Sequence, residues 1–267
     1  ANWDVLEGRL GINTPDKPTK WFSLRHDNFR IGYTNGTDTA WANALKNRIV
    51  GDIGADADFR RYCQPLALSA SGMEQGPGII ITFGTQIYGD RNFFGNPLVP
   101  GNEQFSAADY ATKIDAVGVY FQGYDEYAVA GGSFVREPNV YLVPIGIDCM
   151  RSPAGTDERK VLGWSVVDQV LPLPYAIGST ELDDPSWIST FSGSGGAAAN
   201  IRRHSTLRMG YNLTSNRLVG RSAWNTKWML VIPARSLGSD KEDILRTFAD
   251  KVKDIKLGIR AYSRQGN

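Results

Sequence analysis

The sequence predicts a mainly β protein, an antiparallel jelly-roll-like β-sandwich with small helical insertions. Three observations point there. Short runs of β-branched and aromatic residues recur between glycine- and proline-rich stretches, the pattern of strands separated by turns. Helical periodicity is confined to a few short segments, so strands do not alternate with helices as a doubly wound parallel sheet requires. The composition leans the same way, with 29 Gly, 13 Pro, 11 Tyr, 11 Phe and 7 Trp among 267 residues. A chain of this length buries about 75% of its unfolded surface and needs no disulfide staples to fold.

Each element has its own signal. Residues 1–20 read as an entry segment, with Pro15 and Pro18 marking a loop. Residues 21–33 (WFSLRHDNFRIGY) alternate around Phe22, Leu24, Phe29, Ile31 and Tyr33, which predicts one or two strands broken near His26–Asn28. Residues 39–50 place Trp41, Leu45 and Ile49 on one helical face, and Gly51 and Gly54 end that helix. A second short helix is expected over 55–62. Ile79, Ile80, Ile81 and Phe83 form a strand bounded by glycines, and residues 89–104 a turn-rich loop. Residues 113–122 (KIDAVGVYFQ) alternate, and residues 139–147 (NVYLVPIGI) form an apolar strand. Pro144 inside that run predicts a bulge or an edge position.

Residues 164–172 continue the strand series, and residues 192–200 (SGSGGAAAN) are a small-residue loop. Residues 227–232 predict a strong strand. Ser239 with Glu242 three residues on predicts a capping box, opening a helix that buries Ile244, Leu245, Phe248 and Val252. Residues 256–262 (KLGIRAY) alternate and close the series as a strand. The organisation expected is a strand and helix segment over 1–75 packed on a sandwich over 76–267, together one compact unit, with a weak boundary near 70–78.

Charge narrows the function classes. The 29 basic and 28 acidic residues leave a net charge of +1, so no global field draws the chain to nucleic acid or anionic membranes. No apolar run approaches the length of a membrane-spanning helix. No signal peptide is expected at the first residues. The two cysteines, Cys63 and Cys149, read as free thiols rather than a disulfide framework.

The search for chemistry finds no metal-ligand spacing: the only histidines are His26 and His204, and no Cys-x-x-Cys occurs. Asp52, Asp56 and Asp58 lack the glycine and distal glutamate of a calcium loop. Ser194 lies in a Ser-Gly-Ser-Gly-Gly stretch without the preceding glycine of a nucleophile elbow. No phosphate-binding glycine loop is present. No catalytic residue, metal ligand or cofactor is therefore expected.

Binding candidates do emerge. Arg202, Arg203, His204 and Arg208 form a basic cluster that suits carboxylates through guanidinium forks, although a solvated strand face fits it as well. Trp187 and Tyr124 could stack on a sugar or a partner. Trp224 and Trp228 could also do so, but tryptophans in such strands usually build a sandwich core. Loops 89–104, 123–138 and 192–204 are expected to carry contacts.

Three segments carry a likeness in a fixed order. Residues 105–119 show F-x3-D-Y-x2-K-I-x2-V-x-V, followed by Gly123 and Tyr124. Residues 222–233 read SAWNTKWMLVIP, and residues 244–262 end in KDIKLGIRAY. Together these resemble the C-terminal β-region of Tc-type insecticidal toxin A subunits, over roughly residues 79–262. The chain departs from that pattern where Gly123 is followed by Tyr124 without a proline, where the stretches 125–138 and 147–160 are longer, and in having no long coiled-coil helices of a toxin shaft. Residues 1–75 carry no motif of the family.

The resemblance implies a binding or assembly role, because the corresponding region contacts the B–C cocoon. It transfers no catalytic residue. The expectation is thus a non-enzymatic module at the C-terminal end of a large, secreted or cell-associated bacterial protein, with a protein partner or other domains of the same polypeptide. A carbohydrate-binding module is the alternative, and a glycoside or ester hydrolase with dispersed carboxylates a second one.

Overall fold

Residues 228–233 (WMLVIP) are apolar on both faces of an extended chain, so they must lie in a sheet covered on both sides. In the computed structural model this segment is the centre of the fold. The structure describes residues 19–62, 76–88, 90–100, 102, 109–124, 126, 134–135, 138–151, 161–164, 175–176, 218 and 221–265. Its strands are β1 (Thr19–Ser23), β2 (Ile49–Val50), β3 (Gly78–Phe83), β4 (Asp109–Gln122), β5 (Asn139–Pro144) and β6 (Asp148–Arg151). Then follow β7 (Val161–Trp164), β8 (Tyr175–Ala176), β9 (Trp224–Asn225), β10 (Trp228–Pro233) and β11 (Asp254–Gln265). Among the described residues three α-helices accompany them: α1 (Thr37–Lys46), α2 (Ala57–Tyr62) and α3 (Glu242–Lys251).

Among the described residues every strand pair is antiparallel. One sheet has the order β1-β11-β4, a second β2-β3-β10-β5-β8 and a third β7-β6-β9. The described part of the first 75 residues thus supplies an edge strand to each of the first two sheets. The protein is mainly sheet with small helices, as the sequence predicts.

Register explains the core. Leu257 opposes Val119, Ile259 opposes Val117 and Ile255 opposes Phe121, and all six side chains are buried. They share one core with Ile79, Ile81, Leu142, Leu230 and Ile232 from the five-stranded sheet. Alternate residues of that second sheet turn the other way: Tyr141, Val143, Met229 and Val231 pack with Ile53 and Phe59 in a separate cluster. Burial on two faces is why β10 reads as a continuous apolar run.

The helices close the main core. Trp41 and Leu45 of α1 and Leu245 and Phe248 of α3 are buried in it. The Trp41 indole donates to the Val252 carbonyl at 3.0 Å, and Phe248 meets Phe121 edge-on at 4.8 Å. Lys46 pairs with Asp250 across the two helices at 2.6 Å, an exposed contact that contributes little.

Four local expectations need correction. Residues 29–33 form no strand; β1 ends at Ser23 and Leu24–Asn28 form a π-turn instead. The Ser23 hydroxyl accepts from the His26 amide and the Asp27 carboxylate accepts from the Ser23 amide, so short polar side chains divert the backbone from the ladder. α1 stops at Lys46, and Ile49 pairs with Ile79 as a strand residue. Pro144 ends β5 rather than interrupting it, opposite Trp228. Finally, α3 begins at Glu242 with Lys241 at its N-cap and no side-chain cap. Ser239 caps only the Lys241 amide, at 3.3 Å, while Glu242 binds Arg246 one turn on.

Candidate binding cleft

Trp187, Arg202, Arg203, His204 and Arg208 lie outside the described residues, as do Cys63 and the loop 192–204. Tyr124 is described, and it sits in the core at 4% exposure. Its ring packs edge-on against Phe121 and Phe134, and its hydroxyl donates to the Val135 carbonyl at 2.6 Å. A ring so enclosed presents no face to a ligand. Trp224 and Trp228 are likewise buried. The Cys149 thiol is free, and burial followed by the neighbouring Asp148 charge pushes its pKa up.

The surface does offer a cleft, at the loop that follows β3. It is lined by Gln86, Ile87, Tyr88, Arg91 and Asn92 of that loop, by Asp109 and Thr112 from the start of β4, by Arg151 from the end of β6, and by Trp224. Its enclosed space is about 10 Å³, room for about one water, and it opens to solvent at the mouth. Tyr88 stands on the rim at 58% exposure, whereas Asn92, Thr112 and Trp224 are buried.

The loop is held rigid by a chain of hydrogen bonds. Thr85 begins it: its hydroxyl donates to the Ala223 carbonyl at 2.8 Å and accepts from the Asn225 amide and the Trp228 indole. The Gln86 amide donates to the Phe93 carbonyl at 3.0 Å. Asn92 is the hub. Its side-chain oxygen accepts from the Phe94 and Asn96 amides, each at 3.0 Å, and its nitrogen donates to the Asp27 carbonyl and to Asn102. Gly95 has a φ of +78°, and a Cβ there would lie 2.8 Å from the Gln86 side chain. Phe93 stacks on Phe22 of β1 with centroids 3.9 Å apart, fixing the loop to the sheet.

Beside the cleft, the π-turn holds a second polar cluster. Arg25 is 1% exposed. Its guanidinium donates to the Gly32 and Lys253 carbonyls and to Thr37, and pairs with Asp38 at 2.8 Å. Asp254 accepts from the Arg25 amide at 3.1 Å and from the Tyr33 hydroxyl at 2.7 Å. Burial raises the Asp254 pKa above the ordinary carboxylate range, against the opposing pull of these hydrogen bonds. Burial, and then the Asp254 carboxylate, raise that of Tyr33. His26 Nδ1 lies 2.9 Å from Asp27, and the imidazole is offset-stacked beside Tyr33 at 6.1 Å. The Ser23 hydroxyl is bonded to the His26 backbone rather than to its ring, so the three residues do not form a nucleophile–base–carboxylate relay.

The cleft's chemistry is that of planar polar groups beside one exposed aromatic ring: an amide on Gln86, guanidinium groups on Arg91 and Arg151, and a carboxylate on Asp109. Sequence reasoning named the 89–104 loop but not Tyr88, Asp109 or Arg151, because three distant segments build the site. Among the described residues no group of three or more His, Cys, Asp or Glu could hold a metal ion. No described helix is long and apolar enough to cross a membrane. Comparison with protein-family models finds no match, and comparison with curated proteins finds none either.

Proposed function

We propose that the chain is a non-enzymatic binding and assembly module with a jelly-roll-like sandwich, standing at the C-terminal end of a large Tc-toxin-like bacterial polypeptide. One observation carries this reading. The segments that bear the Tc-like motifs are partners in the same architecture: residues 109–119 and 254–262 lie in β4 and β11, which pair along most of their lengths, and residues 224–233 supply β9 and the central strand β10. Motifs scattered over 150 residues of sequence would then be one structural unit, which suits an inherited frame whose loops meet a partner. The test is size-exclusion chromatography of the chain with a B–C complex from the same source. Co-elution is the expected result; independent elution of the two at micromolar concentration counts against the assembly role.

A second reading has its own observation. The cleft sets an exposed tyrosine ring beside side-chain amide, guanidinium and carboxylate groups, and that combination suits a carbohydrate: the ring covers the apolar face of a sugar while planar polar groups bridge its hydroxyls. Binding of a glycan panel to the intact chain tests this reading, wherever on the surface the glycan sits.

A further inference from the structure

We propose that Asn35 is a self-modifying site, at which the folded chain converts this asparagine to isoaspartate and aspartate and thereby loosens the socket of Arg25. The site is independent of the binding readings above. Asn35-Gly36 is the only Asn-Gly step in the chain, and glycine leaves the attacking backbone nitrogen unscreened by a Cβ. The structure leaves the pair free to react. The Thr37 amide donates to the Thr34 carbonyl at 3.1 Å, and Gly36 has φ +89° and ψ −10°. Gly36 is thus the third residue of a type II turn, the position that needs a positive φ. Asn35 and Gly36 are both exposed. Among the described residues, neither the Asn35 side chain nor the Gly36 amide makes a hydrogen bond. A Cβ built on Gly36 would meet nothing within 4 Å, so the peptide plane has room to swing onto the side chain. Asn92 and Asn225, by contrast, are buried and bonded through both oxygen and nitrogen.

The reaction needs only water. The Gly36 nitrogen attacks Cγ of Asn35. The N–Cγ bond forms, the Cγ–Nδ2 bond breaks, and the Gly36 proton passes through water to the departing ammonia. Water then opens the five-membered imide. Opening at Cγ leaves aspartate; opening at the backbone carbonyl leaves isoaspartate, whose main chain runs through Cβ and Cγ. Either product gains a carboxylate, and isoaspartate also lengthens the main chain by one carbon. The 32–38 segment is closed around Arg25 and has no slack for it. The Gly32 carbonyl accepts from Nε and Nη2 of Arg25 at 3.1 and 2.8 Å. The Thr37 hydroxyl accepts from Nη2 at 3.0 Å and donates within the turn to the Thr34 carbonyl at 2.6 Å. Asp38 pairs with the same guanidinium at 2.8 Å. Displacing Thr37 from Gly32 takes partners from a guanidinium that is 1% exposed, and a buried charge that loses partners destabilises the fold.

The experiment is incubation of the folded 267-residue chain in warm, mildly alkaline buffer, with peptide mapping by mass spectrometry and denaturant unfolding at intervals. The peptide holding Asn35 should gain the mass of OH in place of NH2 about tenfold faster than a peptide holding any other asparagine. The unfolding midpoint should fall as isoaspartate accumulates. Asn35→Gln keeps the amide but sets it one carbon too far for a five-membered ring, so its midpoint should hold through the same incubation. Freshly prepared Asn35→Asp carries the charge without the longer main chain, and should start near the wild-type midpoint. Conversion of another asparagine first, or of Asn35 only after unfolding in urea, overturns the site. An unchanged midpoint in chains fully converted at Asn35, or a fresh Asn35→Asp chain as weak as the converted one, overturns the loosening of the Arg25 socket.

Discussion

The Tyr33 hydroxyl donates a 2.7 Å hydrogen bond to Asp254, a carboxyl group with no solvent exposure of its own. Through it the loop that follows the π-turn is tied to the first residue of the longest-paired strand of its sheet. The same carboxyl accepts from the Arg25 amide, so one buried acid joins β11 to both ends of the 25–33 segment.

That acid gives stability a pH dependence. Its folded pKa is raised above the ordinary 3.8, so its contribution is fully present below 3.8 and is lost as pH rises through the folded value. Asp254→Asn keeps an oxygen for the Arg25 amide and cannot ionise. Denaturant midpoints of wild type and Asp254→Asn, compared over acidic to neutral pH, should therefore shift in favour of the variant as pH rises. Parallel curves would mean the carboxyl titrates alike in both states.

Tyr33→Phe removes the hydroxyl that favours the ionised form of Asp254. The ring is 54% exposed, so the loss of stability at neutral pH should be about 1 kcal/mol, the worth of one hydrogen bond. The pH-dependent decline should begin at the same pH as in wild type but extend to higher pH, because the folded pKa rises further while the unfolded one is unchanged. A decline that ends at the wild-type pH would show that the hydroxyl does not act on Asp254.

Phe93 fixes the cleft loop to β1 through its stack on Phe22, and it is buried against Phe94 and Trp224 as well. Phe93→Ala should cost about 3–5 kcal/mol by the cavity it leaves, measured by equilibrium unfolding. A loss under about 1 kcal/mol would mean that the loop packs independently of the sheet.

Asn92→Ala leaves the Phe94 and Asn96 amides without their acceptor. Unsatisfied donors of this kind cost about 1–3 kcal/mol. Amide exchange should accelerate at residues 92–96 while β10 stays protected. Equal acceleration throughout would show a global effect rather than a loosened loop.

Much of this fold is legible in the sequence because apolar alternation records burial directly. Ile79, Ile81 and Phe83 read as a strand and are one, and Trp41 and Leu45 read as a buried helix face and are buried. Local polar bonding is harder to see. Ser23 and Asp27 divert the chain into a π-turn where Phe29, Ile31 and Tyr33 still alternate as a strand would. Ile49 keeps helical spacing from Leu45, yet pairing with Ile79 takes it into a sheet, a tertiary contact that overrides propensity. Ser239 and Glu242 match a capping box, but Glu242 is itself the first helical residue and so cannot reach back. The cleft was legible only as a turn-rich loop. Tyr88, Asp109 and Arg151 come together through the loop after β3 and the first and last residues of β4 and β6, a convergence that no local pattern encodes.

The central claim, a module at the end of a large polypeptide, is tested most directly by the mass of the native protein. An antibody against the 267-residue chain, used to blot its source, should reveal a polypeptide several times the 29.3 kDa of this segment. A single band near 29.3 kDa would contradict the Tc-like reading.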